Sequence, residues 1–527
     1  MPYNKAMKRR LPIGIQDFAK IREGDYVYAD KTACIHRLIT GSEGAFFLSR
    51  PRRFGKSLLC STLGAIFEGR RELFKGLAID SLEWGWKKHP VIRIDLNPGD
   101  YTEGIEVLKE TLRNTLENSA GNLGLNLRGN IVSSQFLNLI QDAYLKYGER
   151  VAVIIDEYDK PLLSTIDMEK LRDKMRKALK GFYGVLKTAD AQLKFVFLTG
   201  VTKFSHVSIF SDLNHLDDIS LNPDYAAICG IRQEELENDF ASQIESALKE
   251  IGGERKDYLE SLRRSYNGYR FSKKPLKVYN PFGLLNHFKE KEFASYWYDS
   301  GTPTFLVKLI IEQKINIIEL GNLRVRREDF RKYDIENMRA APLLYQSGYL
   351  TIVDYDETRG RFTLDYPNNE VRSCFAGSLL ELYAPVPEPI SRSLSGQLLD
   401  ALQDGDIDLA MDTLKSFFAA IPYDIIKESE NYYQTAIHLV FTLFGFNCRS
   451  EVRIAAGRID TLLETQDFVY CFEFKLNKTA GEALAQIDAK EYLLPWEGGG
   501  KRLFKIGVEF DHDKRNIGDW KAVEASG

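Results

Sequence analysis

The six cysteines, at positions 34, 60, 229, 374, 448 and 471, include no close pair, and the seven histidines are equally scattered. This rules out the spacing of a zinc site or of a disulfide framework and suits a reducing compartment. No apolar run approaches the length of a membrane span. The first ten residues carry basic side chains but lack the apolar core of a signal peptide, so the expectation is a cytoplasmic protein with no membrane partner. Nor does one charge dominate: 71 Lys+Arg stand against 75 Asp+Glu, a net of −4. Any nucleic-acid surface must therefore be local. The 527 residues exceed a single core, and three or four domains are expected.

A further absence lies inside a motif. Phe46-Phe47-Leu48-Ser49 reads as an apolar strand and Arg50-Pro51-Arg52-Arg53-Phe54 as a short basic loop. Gly55-Lys56-Ser57 then opens an amphipathic run through Leu58, Leu59, Leu63, Ile66 and Phe67. Strand, loop and helix in this order are the layout of a phosphate-binding P-loop. The first N–H groups of such a helix face the phosphates, and its dipole favours their charge. Gly55 would admit a close approach, Lys56 would reach the β- and γ-phosphates of ATP, and the Ser57 hydroxyl would hold Mg²⁺. Arg53 and Phe54 complete the candidate nucleotide contacts. The first glycine of the usual pattern is missing: Arg50 takes its place, and Pro51 then fixes φ. A basic turn before a helix would read the same way.

The second half of an NTPase signature is Val151-Ala152-Val153-Ile154-Ile155, an apolar run of strand length that ends in Asp156-Glu157. Asp156 would bind Mg²⁺ directly or through water, and Glu157 would polarise the attacking water. Around these lie a strand at Pro90–Leu96, helical spacing at Ile105, Leu108, Leu112 and Leu116, and another at Leu171, Met175, Leu179, Phe182 and Leu186. Phe195–Gly200 is a further buried strand. It places Thr199 or Thr202 at the carboxyl edge of the sheet, as a γ-phosphate sensor or as a plain strand-end threonine. Tyr26–Thr32 is a strand-like run ending in a polar turn. It serves either as the lip of a nucleotide pocket or as the cap of the next helix through Asp30 or Thr32. Strands alternating with helices through residues 40–230 predict a largely parallel sheet.

From residue 231 the pattern becomes helical and more basic. Arg255, Lys256, Arg263, Arg264, Arg270, Lys273, Lys274 and Lys277 are interleaved with Tyr266, Tyr269, Phe271 and Tyr279. This mixture suits a nucleic-acid surface, but a solvated helix face with aromatics turned inward is favoured. A second basic run is Arg324, Arg326, Arg327, Arg331 and Lys332. Residues 337–366 predict a small winged-helix element: a helix into Leu344, a turn at Gly348, and a hairpin from Thr351–Tyr355 to Arg361–Tyr366. Pro385, Pro387 and Pro389 mark a linker, and residues 390–425 read as helices.

Near the C-terminus an amphipathic helix (Tyr433, Ile437, Val440, Phe441, Phe444) ends at Gly445. Strands follow at Glu451–Ile454, Arg458–Leu463 and Phe468–Lys475, with a turn at 455–457. Glu473 and Lys475 lie two apart on a strand and leave the same face. A neighbouring strand can bring Asp460 to that face. Two carboxylates can bind Mg²⁺, and the metal with Lys475 can activate water and stabilise a pentavalent phosphate. A surface salt bridge between Glu473 and Lys475 has the same spacing. A helix carrying Gln486 and a closing strand at Leu503–Phe510 complete the pattern.

Arg50–Ser57, with Tyr28-Ala29-Asp30-Lys31-Thr32 before it and Ile155–Asp159 after it, resembles the bacterial AAA-ATPase-like family. Thr199–Ser205, Tyr266–Phe271 and Tyr279–Phe282 add to the likeness, and the missing first glycine is a habit of that family. Gly457–Asp460, Phe472–Lys475 and Gln486 resemble the PD-(D/E)XK nuclease-like domain usually fused to it. The resemblance implies an α/β protein: a P-loop NTPase core of the additional-strand type with a largely parallel sheet, a helical lid and winged-helix region, and a small α/β restriction-endonuclease-like domain. The expected division is 1–230, 231–385, a helical linker at 386–428, and 429–527. Lys56, Ser57, Asp156 and Glu157 take the NTPase roles; Asp460, Glu473 and Lys475 take the nuclease roles, assisted by Gln486. ATP, Mg²⁺, DNA or RNA and a homo-oligomer are the expected cofactors and partners. An ATP-dependent switch or scaffold, whose nuclease-like domain binds without cleaving, is the alternative.

Overall fold

The computed structural model describes residues 9–41, 44–203, 216–298, 304–330, 339–386, 388–423, 425, 429–445, 447–454, 457–476 and 478–525. The expectations for Phe204-Ser205, Arg331, Lys332, Pro387 and the turn at 455–456 fall outside these residues. The chain divides into two compact units, Met1–Ser300 with Asn322–Asn368, and Gly301–Gly321 with Asn369–Gly527.

In the first unit, β1 (Gly44–Ser49), β2 (Val91–Asp95), β3 (Val151–Asp156), β4 (Leu193–Gly200) and β5 (Leu216–Asp218) form one sheet. Its order is β2-β3-β4-β1-β5, parallel throughout. Every residue of β3 is buried, as an unalternating apolar run requires when both faces are covered. Parallel neighbours need crossovers, supplied by helices Lys56–Phe67, Ile105–Asn122, Val132–Tyr147 and Glu169–Tyr183. The helix Val132–Tyr147, which turns Phe136, Leu139, Ile140 and Ala143 inward, was not anticipated from the sequence. β4 lies between the strand that leads into Gly-Lys-Ser and the strand that ends in the two acids, the additional-strand arrangement.

Tyr26–Tyr28 forms no strand; a single bridge joins Arg10 to Tyr26. The polar turn after it acts as a cap. Asp30 Oδ1 accepts from Thr32 N at 2.8 Å and Oδ2 from Ala78 N at 2.7 Å.

Residues 231–298 build a helical layer around Leu236, Phe240, Tyr258, Leu262, Tyr266 and Leu284. The aromatics of its basic stretch do turn inward: Tyr266, Tyr269, Phe271 and Tyr279 are buried. Arg263 and Arg264 pair with Glu260. Arg270 is buried and donates to the carbonyls of Ser272, Lys274 and Val353. Gly268 has φ +105°, and a Cβ there would collide with the Pro367 carbonyl. Gly268→Ala should therefore destabilise this unit by about 3 kcal/mol or prevent its folding, read from urea unfolding beside the wild type.

The winged-helix expectation gains a strand. β6 (Leu323–Arg326), which precedes helix Ala340–Ser347, joins β7 (Thr351–Asp356) and β8 (Arg361–Asp365), which follow it, in an antiparallel sheet of order β6-β8-β7. The basic run beginning at Arg324 thus starts as an edge strand, with Val325 turned inward against Phe362.

In the second unit, helices including Asn369–Tyr383, Ile407–Ala419 and Glu430–Leu443 accompany a five-stranded sheet. β9 (Asn447–Ile454), β10 (Gly457–Glu464), β11 (Phe468–Leu476), β12 (Arg502–Asp511) and β13 (Asn516–Ala525) lie in the order β13-β12-β11-β10-β9. Only β11 and β12 run parallel among these pairs, joined through helix Ala480–Ala489. The expected closing strand at Leu503–Phe510 is therefore interior. β13, whose polar alternation suits a solvent-facing edge, closes the sheet instead.

Candidate functional sites

β1 runs into the loop 50–55, where positive φ at Arg53 (+64°) and Gly55 (+90°) turns the chain into helix Lys56–Phe67. A Cβ on Gly55 would meet nothing within 4 Å. The glycine thus answers to the backbone angle, and the space before the helix start is open. Lys56 is 3% exposed; its Nζ donates to Pro51 O at 3.2 Å and lies 3.4 Å from Glu157 Oε1. The lysine assigned to phosphate and the glutamate assigned to water are thus paired with each other.

Asp156 ends β3 opposite Asp95 of β2. Burial, then the charge of Glu157, pushes its carboxyl up to about 6, while a hydrogen bond from Ser57 and the charge of Lys56 act in the other direction. Glu157 sits at φ +52°, with its N–H donating to Asp156 Oδ1 at 3.0 Å. Such a backbone costs roughly 1–3 kcal/mol, and the strain lies beside the acid pair. Ser57, Asp156 and Glu157 are therefore gathered at the carboxyl end of the sheet, where ligands bind in open α/β folds.

Thr199 ends β4, between β1 and β3; it is fully buried, and its hydroxyl donates to Leu48 O at 2.9 Å. The Thr202 hydroxyl donates to Asp159 Oδ2 at 2.6 Å. Asp159, also fully buried, further accepts from the N–H groups of Val201 and Thr202, and a Cβ on Gly200 would collide with it. This carboxylate ties the loop after β3 to the loop after β4, and no sequence spacing announced it.

Phe54 is buried, its ring edge-on to Tyr269 and Phe271. Arg53 is exposed, its guanidinium 5.1 Å from the Phe282 ring centre. Beside Gly55 opens an apolar cleft whose walls include Ile21, Tyr28, Leu58, Leu59, Ile231 and Phe240. Tyr28, Ala29 and Lys31 also line it, so the run before the cap is a lip of this cleft as well. Lys31 is the charged residue among the described lining, and its Nζ lies 2.5 Å from Glu235 Oε2.

The second site is built on the sheet of the second unit. Antiparallel pairing of Thr461 with Phe472 brings Asp460 beside β11, where its Oδ2 accepts from Phe474 N at 2.9 Å. Glu473 and Lys475 share the face predicted for them, with Nζ 2.7 Å from Glu473 Oε1. Gln486 Nε2 donates to the same oxygen. Glu473 is 1% exposed, so this is a buried pair and not a surface salt bridge. Its other oxygen, Oε2, is buried without a hydrogen-bond partner. Burial, then the charge of Asp460, pushes the Glu473 carboxyl up to about 7; burial likewise pushes Asp460 up to about 6. Burial would lower the Lys475 ammonium, but its hydrogen bond to Glu473 together with the charges of Glu473, Asp460 and Glu430 outweighs this and leaves it raised.

These donors fit a hard cation. An orphaned buried carboxylate oxygen and two repelling carboxylates are what Mg²⁺ would relieve. Among the described residues no group of three or more His, Cys, Asp or Glu is set to hold an ion. Mg²⁺ would thus rest on Asp460, Glu473 and water, in keeping with its reluctance to dehydrate.

Two supporting residues escaped the sequence reading. Glu430 Oε2 accepts from Leu476 N at 3.2 Å, and Gln434 Nε2 donates to Asp460 O at 2.8 Å and to Glu451 Oε1 at 3.1 Å. Their signal was available: two polar residues four apart on a largely apolar helix share one face.

The two units define the class: a P-loop NTPase core of the additional-strand type, and a separate α/β domain with a PD-(D/E)XK-type constellation. Comparison with known proteins agrees. Residues 12–210 match the family described as Predicted AAA-ATPase, and residues 428–520 match the PD-(D/E)XK nuclease superfamily. An uncharacterized protein from the vnfD 5′ region of Azotobacter chroococcum mcd 1 is 37% identical over 525 residues, covering 97% of this chain and 98% of that one. The chain belongs to the AAA-ATPase-like family and carries a C-terminal domain of the PD-(D/E)XK nuclease superfamily. Among solved structures, the Aeropyrum pernix ORC2 protein in its ADPNP-ADP complexes aligns with 64% of this chain and 87% of its own, at 11% identity and a TM-score of 0.18. A score that low carries no argument about fold or function. Among the described residues no helix is long and apolar enough to cross a membrane.

Proposed function

We propose that the protein is an ATPase that controls a metal-dependent nuclease acting on DNA or RNA. The reading rests above all on Glu473: a buried carboxylate gripped on one oxygen by Lys475 and Gln486 and left unpartnered on the other. That is an arrangement for a cation and a reacting phosphate. Bound Mg²⁺ supplies Lewis acidity there. Asp460 and Glu473 hold it, Lys475 positions a water and stabilises the charge on the phosphate, and Gln486 fixes the Glu473 rotamer.

In the NTPase site, Lys56 leaves Glu157 for the β- and γ-phosphates, Ser57 and Asp156 hold Mg²⁺, and Glu157, once released, orients water. The cleft beside Gly55 takes the base. Its mostly aliphatic lining favours adenine, which carries fewer polar groups that would need partners than guanine. The working division is an ATPase domain at 1–230, a lid and winged-helix region at 231–385, a helical linker at 386–428 and a nuclease-like domain at 429–527. The protein acts in the cytoplasm, as a homo-oligomer if an exposed arginine such as Arg52 or Arg53 serves a neighbouring site.

One observation favours the switch reading: the basic-aromatic stretch turns its rings inward and commits its arginines to Glu260 and to carbonyls. The deciding experiment incubates the protein with Mg²⁺ or Mn²⁺ and single- and double-stranded DNA and RNA, with and without ATP, beside Lys475→Ala. Cleavage lost at least a hundredfold in Lys475→Ala, and altered by ATP, is expected. ATP hydrolysis with no cleavage of any substrate would sink the nuclease in favour of the switch.

A further inference from the structure

Arg50 stands where the usual phosphate loop has its first glycine, and it is 1% exposed. Nη1 donates to Ser49 O at 2.8 Å and Ser220 O at 2.9 Å, and Nη2 to Tyr225 O at 3.1 Å. The guanidinium carbon lies 4.2 Å from the Phe271 ring centre. Its own N–H donates to Gly200 O at 3.2 Å. One residue thus joins the ends of β1 and β4, the segment 220–225 and the aromatic layer of residues 231–298.

All these partners are neutral. Among the described residues no carboxylate lies within ion-pair distance of Arg50, and its Nε has no hydrogen-bond partner. The titratable groups that face it are the Cys229 and Cys34 thiols and the Tyr345 hydroxyl. Burial pushes all three up, so they are uncharged at neutral pH. Two other buried cations are ion-paired, Lys56 with Glu157 and Lys31 with Glu235, whereas Arg270 is, like Arg50, held by backbone carbonyls. A buried guanidinium without a counter-ion is costly. A neutral donor could bridge the same carbonyls, and a glycine would avoid the cost altogether.

We propose that Arg50 is a positioning residue of the phosphate loop: a buried cation in place of the missing glycine, whose counter-charge is the polyphosphate that the loop binds. The attraction acts through a low-dielectric interior, where a unit charge is felt beyond contact range. This inference rests on the P-loop reading above.

The test supplies Arg50 with a counter-ion from within. Cys229→Asp and Cys229→Asn are made in the full chain; they match in size and differ in charge. Binding of inorganic tripolyphosphate, which needs no base pocket, is measured by calorimetry, and melting temperature is read without ligand. The expected result has opposite signs: Cys229→Asp melts no lower than Cys229→Asn, yet binds tripolyphosphate at least tenfold more weakly. Arg50→Lys, which keeps the charge and loses the fork, stays within about threefold of the wild type, whereas Arg50→Gln loses at least tenfold. Equal affinities for Cys229→Asp and Cys229→Asn, or a Cys229→Asp variant that melts far below Cys229→Asn, would overturn the proposal while leaving the P-loop reading intact. A wild type that binds no tripolyphosphate, or binds it equally well after Lys56→Ala, would overturn both.

Discussion

Replacing Lys56 by alanine should lower ATP turnover at least a thousandfold, to the background of a phosphate-release assay. Removing a single donor aimed at developing charge commonly costs a hundred- to a thousandfold in rate, and Lys56 also binds the ground state. Its surroundings add a second, more specific expectation. Lys56 is held by Glu157 Oε1 at 3.4 Å and by Pro51 O at 3.2 Å, so it must leave both to meet a phosphate. Glu157→Gln weakens that hold and removes the candidate that orients water. The variant should bind ATP at least as tightly as the wild type while hydrolysing it over a hundredfold more slowly. Weaker binding in Glu157→Gln would mean that the Lys56–Glu157 pair supports the site and does not restrain it.

The second large effect concerns Glu473. Glu473→Gln should abolish metal-dependent cleavage, with a loss of at least a thousandfold, and should lose measurable Mn²⁺ binding in calorimetry. Stability should move in the opposite direction. Its carboxyl is pushed up from 4.5 to about 7 in the folded chain. Between those values the folded state holds a proton that the unfolded state has released. Stability conferred by this group is therefore present below about pH 4.5 and is lost as pH rises through about 7, a change on the order of 3 kcal/mol. Without metal, Glu473→Gln should melt several degrees above the wild type at pH 8 and with it near pH 5. Added Mn²⁺ should narrow the gap at pH 8 by stabilising the wild type alone. A variant that melts below the wild type at pH 8 would show that the charged Glu473–Lys475 pair holds the domain together, against this reading.

Much of the architecture was legible because its signals are local. The unalternating runs at Val151–Ile155 and Phe195–Leu198 can only be strands covered on both faces. The two-residue step from Glu473 to Lys475 places both side chains on one face wherever that strand lies in the sheet. What escaped depends on pairing between distant segments. β13 carries an exposed polar alternation that resembles a loop, and β6 was concealed by its arginines. For Thr199 two readings stayed open, because the side chain at the end of a strand faces a ligand or a neighbouring strand according to the strand order, which no window of sequence contains. Glu430 and Gln434 share a helix face that the sequence does show, but their partners Leu476 and Asp460 emerge only once the strands lie beside that helix. Arg50 read as a departure from a pattern; its carbonyl partners, Ser220 and Tyr225, lie some 170 residues away.

The strand order also bears on how the chain is made. Phe46 pairs with Phe197 and with Asp217, and β2 finds its partner only at Ala152. None of the sheet's strands pairs with the next one to emerge from the ribosome except β2 with β3 and β3 with β4. At about 5–20 residues per second, Phe46-Phe47-Leu48 waits on the order of 10 s for β4 to be synthesised. An unpaired apolar strand is a template for wrong partners throughout that interval. Production of this protein should therefore be sensitive to chaperone supply and to growth temperature, and slower translation between residues 50 and 190 would lengthen the vulnerable period.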